Sequence, residues 1–145
     1  MPDRCSGCGV CLTACNIAHV DGLAPARWRL RLEKRRLDLD LVVVCTHGAS
    51  CGLECVEACP VSAISRGAAG AVVVDRDACT ACGACNGDCP YHVIRYDGDG
   101  RALKCDLCGG DPHCVKYCLL QAIEHREASP GDFAHMRAEG EGAGR

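Results

Sequence analysis

The chain has 145 residues and a net charge of −3, so its overall charge gives no general attraction to nucleic acid. No stretch approaches the ~20 consecutive apolar residues that cross a bilayer. Sixteen cysteines accompany only one Trp, one Phe, three Tyr and two Met, and a small chain with so few large apolar side chains usually needs disulfides or bound metal.

Four cysteines open the chain in a C-x2-C-x2-C-x3-C pattern: Cys5, Cys8, Cys11 and Cys15. This spacing is the one by which bacterial ferredoxins ligate 4Fe-4S clusters, although Asn16 stands where the ferredoxin run has proline. The two-residue spacers let one short loop present three thiolates to three irons. The fourth iron must then receive a sulfur from elsewhere in the chain, so such loops come in pairs and exchange their last cysteines.

Residues 23–44 form an insertion without cysteine, in which apolar and charged residues alternate. The apolar positions are Trp28, Leu30, Leu32, Leu37, Leu39 and Leu41. This period of two predicts a β-hairpin with its turn at residues 33–36. One strand is basic and the other carries Asp38 and Asp40, which favours cross-strand pairing. The basic run 27–36 is either a solvated face or a docking surface for an acidic partner.

A second group follows with a different spacing: Cys45, Cys51, Cys55 and Cys59, closed by Pro60. Residues 66–71 are rich in glycine and alanine and predict a turn, and Val72 to Val74 predict a short strand. His47 lies inside this group and could replace a thiolate, although all four cysteines are present. The other histidines, which are His19, His92, His113, His125 and His135, are expected at the surface or near cluster rims.

The third group has the full ferredoxin spacing and ends at Pro90: Cys79, Cys82, Cys85 and Cys89. Gly83 is expected to remove a side chain where the backbone passes close to inorganic sulfide. Residues 93–96 and 102–104 predict a second hairpin around Asp97-Gly98-Asp99-Gly100. The fourth group then follows: Cys105, Cys108, Cys114 and Cys118. The polar tail 126–145 would ordinarily be disordered, and we expect a partner to hold it.

An internal repeat supports this grouping, because a β-branched aliphatic residue stands five positions after each fourth cysteine. These residues are Val20, Ile64, Ile94 and Ile123. In the second and fourth groups the match extends to C-x-x-x-A-I. We expect each of these residues to lie under a cluster.

The four groups account for every cysteine, which predicts four 4Fe-4S clusters. A disulfide scaffold and structural zinc are the alternatives. Zinc sites usually pair two short C-x2-C knuckles, and disulfides suit an oxidising compartment. No signal peptide is recognisable before Cys5, so we expect a cytoplasmic chain, unless a partner carries an export signal for both. No paired catalytic carboxylates, Ser/His/Asp set or nucleotide loop is evident, which predicts a non-catalytic electron carrier.

Several motifs resemble the four-cluster iron–sulfur subunits of molybdenum and tungsten pterin oxidoreductases and related hydrogenases. These motifs are K-C-D-L-C at 104–108, P-H-C-V-K-Y-C at 112–118 and C-V-E-A-C-P at 55–60. The resemblance covers residues 4 to about 125. It implies an α+β fold, a duplicated bacterial 2×4Fe-4S ferredoxin with short β-hairpins, small helices and pseudo-twofold symmetry.

The same resemblance implies four ligand sets, each completed by a cysteine from another group. They are Cys5, Cys8 and Cys11 with Cys118; Cys105, Cys108 and Cys114 with Cys15; Cys79, Cys82 and Cys85 with Cys59; and Cys45, Cys51 and Cys55 with Cys89. The second group departs from the family pattern, because Gly48 stands where the family usually has its second cysteine and Cys51 serves instead.

The resemblance further implies a division of the chain into two halves with two clusters each. Residues 1–22 with 97–125 would form one half and residues 45–96 the other, with the hairpin insertion at 23–44 and the tail at 126–145. The compact length is most similar to the small subunit of tungsten aldehyde oxidoreductase. The implied partners are a large catalytic pterin subunit and a second redox subunit or soluble carrier. A free polyferredoxin, a hydrogenase or formate dehydrogenase subunit, and a head-to-tail assembly remain alternatives.

Overall fold

The computed structural model describes residues 2–19, 27–36, 39–67 and 70–126. The helices are α1 (Val10–His19), α2 (Glu54–Glu57), α3 (Ala84–Gly87) and α4 (His113–Lys116), with 3-10 turns at Pro2–Arg4 and Leu107–Gly110. The strands are β1 (Arg31–Arg36), β2 (Leu39–Val43), β3 (Ile64–Arg66), β4 (Val72–Val74), β5 (Arg95–Tyr96) and β6 (Ala102–Leu103). They form three two-stranded antiparallel sheets, each made of consecutive strands. The fold is therefore α+β, with short strand pairs and small helices.

The hairpin predicted between the first two cysteine groups is confirmed as β1 and β2. Its predicted turn at residues 33–36 is wrong, because these residues continue β1. Residues 37–38, which follow, lie outside the described residues. Charge density at 33–36 indicated a turn, but opposite charges also pair across strands. Lys34 stands opposite Asp40 in the register, with 4.0 Å between Nζ and Oδ1.

The other two strand pairs are shorter. The predicted strand Val72–Val74 is present as β4, and it pairs with β3, a strand that the sequence did not predict. The predicted second hairpin is confirmed as β5 and β6, with fewer residues than expected. Asp97 organises its turn, since Oδ1 accepts hydrogen bonds from the backbone N–H of Asp99 at 3.0 Å and of Arg101 at 2.8 Å.

Two buried cores hold the described part of the chain together, and β2 contributes to both. Leu41 and Val43 point into one core, which also contains Cys55, Cys85 and Cys89. Val42 and Val44 pack against the other core, which contains Cys11, Cys15, Leu30 and Cys114. The period-two alternation of the strand therefore places successive side chains in different cores. The hairpin therefore packs between the two cores and is not a peripheral insertion.

The short helices pack in two pairs, α1 with α4 and α2 with α3. Each helix carries buried cysteine into a core, namely Cys11 and Cys15 on α1, Cys114 on α4, Cys55 on α2 and Cys85 on α3. The duplication and the division into halves remain predictions. Across the described ranges, no helix is long and apolar enough to cross a bilayer.

Candidate metal centres

Three cavities are each lined by four cysteines. Their cysteines are Cys5, Cys8, Cys11 and Cys118 in the first; Cys45, Cys51, Cys55 and Cys89 in the second; and Cys59, Cys79, Cys82 and Cys85 in the third. In every case three cysteines come from one sequence group and the fourth from another. We refer to these as the N-terminal, inner and C-x2-C cavities. All sixteen cysteines fall within the described residues, and none forms a disulfide.

A fourth cavity is lined by Cys105 and Cys114. We refer to this site as the Cys105 cavity. The structure thus brings together all four members of three predicted sets and, in the fourth set, Cys105 with Cys114, while their binding of metal stays a prediction.

The loops that present these cysteines share an unusual backbone. In three of them, the residues on both sides of the second cysteine have positive φ: Gly7 and Gly9, Ala81 and Gly83, and Leu107 and Gly109. Such turns expose backbone N–H groups in concavities that suit anions, including iron–sulfur sites. At Gly83, φ is 80°, so the backbone conformation itself favours glycine, independently of the predicted approach to sulfide.

The fourth cysteines of the second and fourth groups lie in equivalent turns. The backbone N–H of Ala63 donates to Cys59 Sγ, and that of Ala122 donates to Cys118 Sγ, both at 3.2 Å. The repeated C-x-x-x-A therefore places an N–H donor on each sulfur. The aliphatic residue of each repeat lines the cavity that its own fourth cysteine lines, as Ile64, Ile94 and Ile123 do. Val20 lies outside the described residues.

The first group departs from this turn, because α1 continues through Asn16 to His19. Cys15 Sγ therefore receives its hydrogen bond from the distant backbone N–H of Arg29, at 3.2 Å. His19 is half-buried beside this cysteine, and its hydrogen bond to Asp106 raises the His19 pKa to about 10. Asp106 also pairs with Arg29. This group of His19, Asp106 and Arg29 was missed from the sequence, although Asp106 stands inside the K-C-D-L-C motif.

The atypical second group is held by a buried network of hydroxyl groups. Ser50 Oγ donates to Thr46 Oγ1 at 3.1 Å, and the Tyr91 hydroxyl donates to the Ser50 carbonyl at 3.1 Å. Tyr91 is 2% exposed and follows Cys89 by two residues. The network therefore fixes the loop before Cys51 against the segment that supplies the fourth cysteine of the same cavity.

Gly48 shows why the family's usual second position cannot hold a cysteine here. Its φ is +94°, and an added Cβ would lie 2.9 Å from Leu53 Cδ2. A side chain at this position would be strained, so the longer spacing to Cys51 replaces it. The atom-free volume, including space open to solvent, is about 350 Å³ at the inner cavity and about 340 Å³ at the C-x2-C cavity. The changed spacing therefore leaves a cavity of similar extent.

His47 provides an independent test of whether these cavities suit a sulfur-rich group. Its Nδ1 accepts a hydrogen bond from the Val72 backbone N–H at 2.9 Å, and burial lowers its pKa to about 4. The neutral ring must then carry its proton on Nε2. That buried atom has no hydrogen-bond partner in the described protein, and His47 lines the cavity of Cys105 and Cys114. An acceptor such as sulfide in this cavity would satisfy it, so the residues fit an iron–sulfur cluster.

His47 is therefore a poor candidate for replacing a thiolate, because Nδ1 already accepts a backbone proton and four cysteines line the inner cavity. Among the other histidines, His92 and His125 are exposed and His113 is half-buried. His135 lies outside the described residues.

Residues 41–128 match the family model of the 4Fe-4S dicluster domain, and the chain belongs to this family. It is 39% identical to the aliphatic sulfonate oxidoreductase polyferredoxin-like subunit of Pyrococcus furiosus over 119 residues, which cover 81% of this chain and 68% of that protein. It is 34% identical to the beta subunit of NADH-dependent phenylglyoxylate dehydrogenase of Aromatoleum evansii over 127 residues, which cover 86% of this chain but only 28% of that protein.

A third relative is the B subunit of the anaerobic dimethyl sulfoxide reductase of Haemophilus influenzae. It is 28% identical over 143 residues, which cover 84% of this chain and 69% of the relative. Family membership and the sixteen cysteines together identify an iron–sulfur protein of the ferredoxin type. The zinc and disulfide alternatives are not supported by these findings.

The hydroxyl network predicts a specific effect of Tyr91→Phe. Removing the hydroxyl leaves the buried Ser50 carbonyl without this donor, so we expect a loss of about 1–3 kcal/mol in stability. Anaerobic urea unfolding followed by circular dichroism measures it. Iron release to a chelator should also accelerate, since the Cys51 loop loosens. Tyr117→Phe, at an exposed tyrosine, is the control, and equal effects of the two substitutions would contradict the account.

Proposed function

We propose that this chain is an electron-transfer subunit that relays single electrons through four 4Fe-4S clusters. It would connect a catalytic molybdenum or tungsten pterin subunit with a second redox partner. The observation that carries the proposal is the convergence of four cysteines, three from one group and one from another, on each of three cavities. When bound, each cluster would accept and pass on one electron.

Three of the proposed ligand sets are supported by cavities lined by all four cysteines, and the fourth by the cavity that Cys105 and Cys114 line. Cys118 would complete the set of Cys5, Cys8 and Cys11, and Cys15 that of Cys105, Cys108 and Cys114. Cys59 would complete the set of Cys79, Cys82 and Cys85, and Cys89 that of Cys45, Cys51 and Cys55. The backbone N–H groups of Arg29, Ala63 and Ala122, which donate to cysteine sulfur, would stabilise the thiolates.

Shared cores and cavity walls support an order of the sites. Cys11 of the N-terminal set shares a buried core with Cys114, and Cys45 of the inner set also lines the Cys105 cavity. Cys55 and Cys89 share a core with Cys85 of the third set. The row would therefore run from the N-terminal cavity through the Cys105 cavity and the inner cavity to the C-x2-C cavity.

The two ends of this row are the exposed ones. Cys8 and Cys82 are exposed and belong to the two outer sets. Exposed apolar side chains also line the two outer cavities. They are Val10, Leu119 and Leu120 at the N-terminal cavity, and Val61 and Tyr96 at the C-x2-C cavity. Leu119 is 89% exposed, and such apolar patches commonly mark protein interfaces. Electrons would enter and leave the chain at these two surfaces.

The relatives support a partner of the oxidoreductase class, since the named relatives are subunits of oxidoreductases. Within that class we favour a tungsten aldehyde oxidoreductase, on the motif resemblance and the compact length. The chain itself would be non-catalytic and cytoplasmic. A free polyferredoxin shuttle is the second candidate, supported by the polyferredoxin-like description of the Pyrococcus furiosus relative.

Exchange of the fourth cysteines predicts that Cys118→Ser damages the cluster of the N-terminal loop. Electron paramagnetic resonance of the reduced protein should show the same altered signal in Cys118→Ser as in Cys8→Ser, because both substitutions remove a ligand of one set. Cys108→Ser serves as the matched control and should alter a different signal. Coincidence of the Cys118→Ser and Cys108→Ser spectra would overturn the exchange.

A subunit role predicts stable association with a large partner. A tagged chain purified anaerobically from its native host should carry a pterin-containing subunit, with tungsten or molybdenum detected by elemental analysis and the partner identified by mass spectrometry. Tungsten would support the aldehyde oxidoreductase proposal, and molybdenum would argue for another member of the class. A chain that purifies alone, fully loaded with iron and able to shuttle electrons, would favour the free polyferredoxin.

A further inference from the structure

Lys104 is a charged side chain buried in the protein interior. The residue is 4% exposed, and its Nζ donates to the Val72 carbonyl at 2.7 Å and to the Cys105 carbonyl at 3.5 Å. The Lys104 carbonyl in turn accepts from an Arg29 guanidinium N–H at 3.3 Å. The side chain is thus held in place from β4 on one side and from the Cys105 loop on the other.

The charge of Lys104 is not neutralised by a carboxylate. Among the described residues, no Asp or Glu oxygen lies within 4.0 Å of its Nζ, whereas the nearby Arg29 pairs with Asp106. Burying an ammonium without an opposite charge is strongly unfavourable. An anionic group in the same interior space would stabilise this position.

Lys104 lines the inner cavity together with Cys45, Cys51, Cys55 and Cys89, and the half-buried Glu54 lines the same cavity. Lys104 is the more deeply buried of the two charged residues, so its field is screened less by solvent. A positive charge in this position attracts negative charge on the sulfurs of this set.

Lys104 also lies beside the Cys105 loop, because its Nζ contacts the Cys105 carbonyl, but of the four cavities it lines only the inner one. Two arginines line other cysteine cavities in the described part of the chain: Arg4 at the N-terminal cavity and Arg126 at the Cys105 cavity. Both arginines are exposed. The C-x2-C cavity is lined by neither lysine nor arginine. Solvent weakens the field of an exposed charge, while a buried charge is screened much less.

We propose that Lys104 raises the one-electron reduction potential at the inner cavity more than at the other three cavities. This inference rests on the proposed function, since it requires a cluster held by Cys45, Cys51, Cys55 and Cys89. Reduction adds one electron, supplied by a neighbouring site of the row, with no bond made or broken, so the negative charge in the cavity increases by one. The fixed ammonium attracts that added charge and stabilises the reduced form.

The position of the inner cavity in the row determines what a raised reduction potential there would do. The inner cavity is an interior site of the proposed row, and an electron arriving from either end would be held there. Lys104 would therefore set where the first electron rests in the chain and keep it away from the exposed outer sites. Lys104 would act on the group that the cysteines bind, by holding a positive charge beside it.

The test is a redox titration of the holoprotein followed by electron paramagnetic resonance, with Cys51→Ser identifying the signal of the inner set. In the wild type, we expect this signal to develop first as the potential is lowered. Lys104→Gln keeps a donor for the Val72 carbonyl but removes the charge, and should lower the potential of this signal by more than that of the other three. Lys104→Arg keeps the charge and should preserve it.

Lys34→Met is the matched control, because it removes the same charge from an exposed position, and it should leave all four potentials in place. The inference is overturned if Lys104→Gln retains its iron but leaves the inner signal unmoved, or if all signals shift equally. It is also overturned, without any variant at Lys104, if another signal of the wild type develops before the inner signal. Wild-type protein without iron–sulfur signals would instead refute the proposed function.

Discussion

The convergence of distant cysteines on shared cavities is the constraint on which the rest of this structure depends. Cys118, near the end of the described residues, meets the loop that opens the chain, and Cys59 and Cys89 are exchanged between adjacent loops. The strands are short and large apolar side chains are few, so packing alone gives limited stability. Metal bound at these cavities would close the long loops, and folding and cluster binding would then be coupled.

Electrostatics organises the interior around these sulfurs. Backbone N–H groups point at Cys15, Cys59 and Cys118, and left-handed residues in the loops open further N–H groups toward the cavities. Buried side chains then distinguish sites that are otherwise alike. His47 offers an unpartnered N–H at the Cys105 cavity, and Lys104 places a positive charge at the inner one. A repeated ligand motif can thus give sites of different potential.

Cysteine spacing and period-two patterning were the most informative features of the sequence. The spacing predicted iron–sulfur chemistry, which the family match supports, and alternation predicted the hairpin of β1 and β2 and that of β5 and β6. Both features depend only on residues close together in the chain, so they can be recognised without knowing the tertiary contacts. The turn at 33–36 was wrong because a charged run fits an exposed strand as well as a turn, and β3 was missed because Ile64 serves both a strand and a cavity wall.

Features that depend on tertiary contacts could not be predicted from the sequence. Nothing in K-C-D-L-C indicates that the lysine is buried against β4, and nothing at Gly48 indicates a contact with Leu53. The two-faced packing of β2 was also hidden, because four successive apolar residues at 41–44 do not show which core each one enters. The partner enzyme is likewise not encoded in the ligand motifs, which relatives with different named activities share.

Diffraction from anaerobically grown crystals at the iron absorption edge tests the central claim most directly. The account predicts about 16 irons per chain in four compact groups, one at each cysteine set, and sulfur ligands from two separate loops at every group. Iron at only two of the sets, or any group ligated by the four cysteines of a single sequence group, would contradict it.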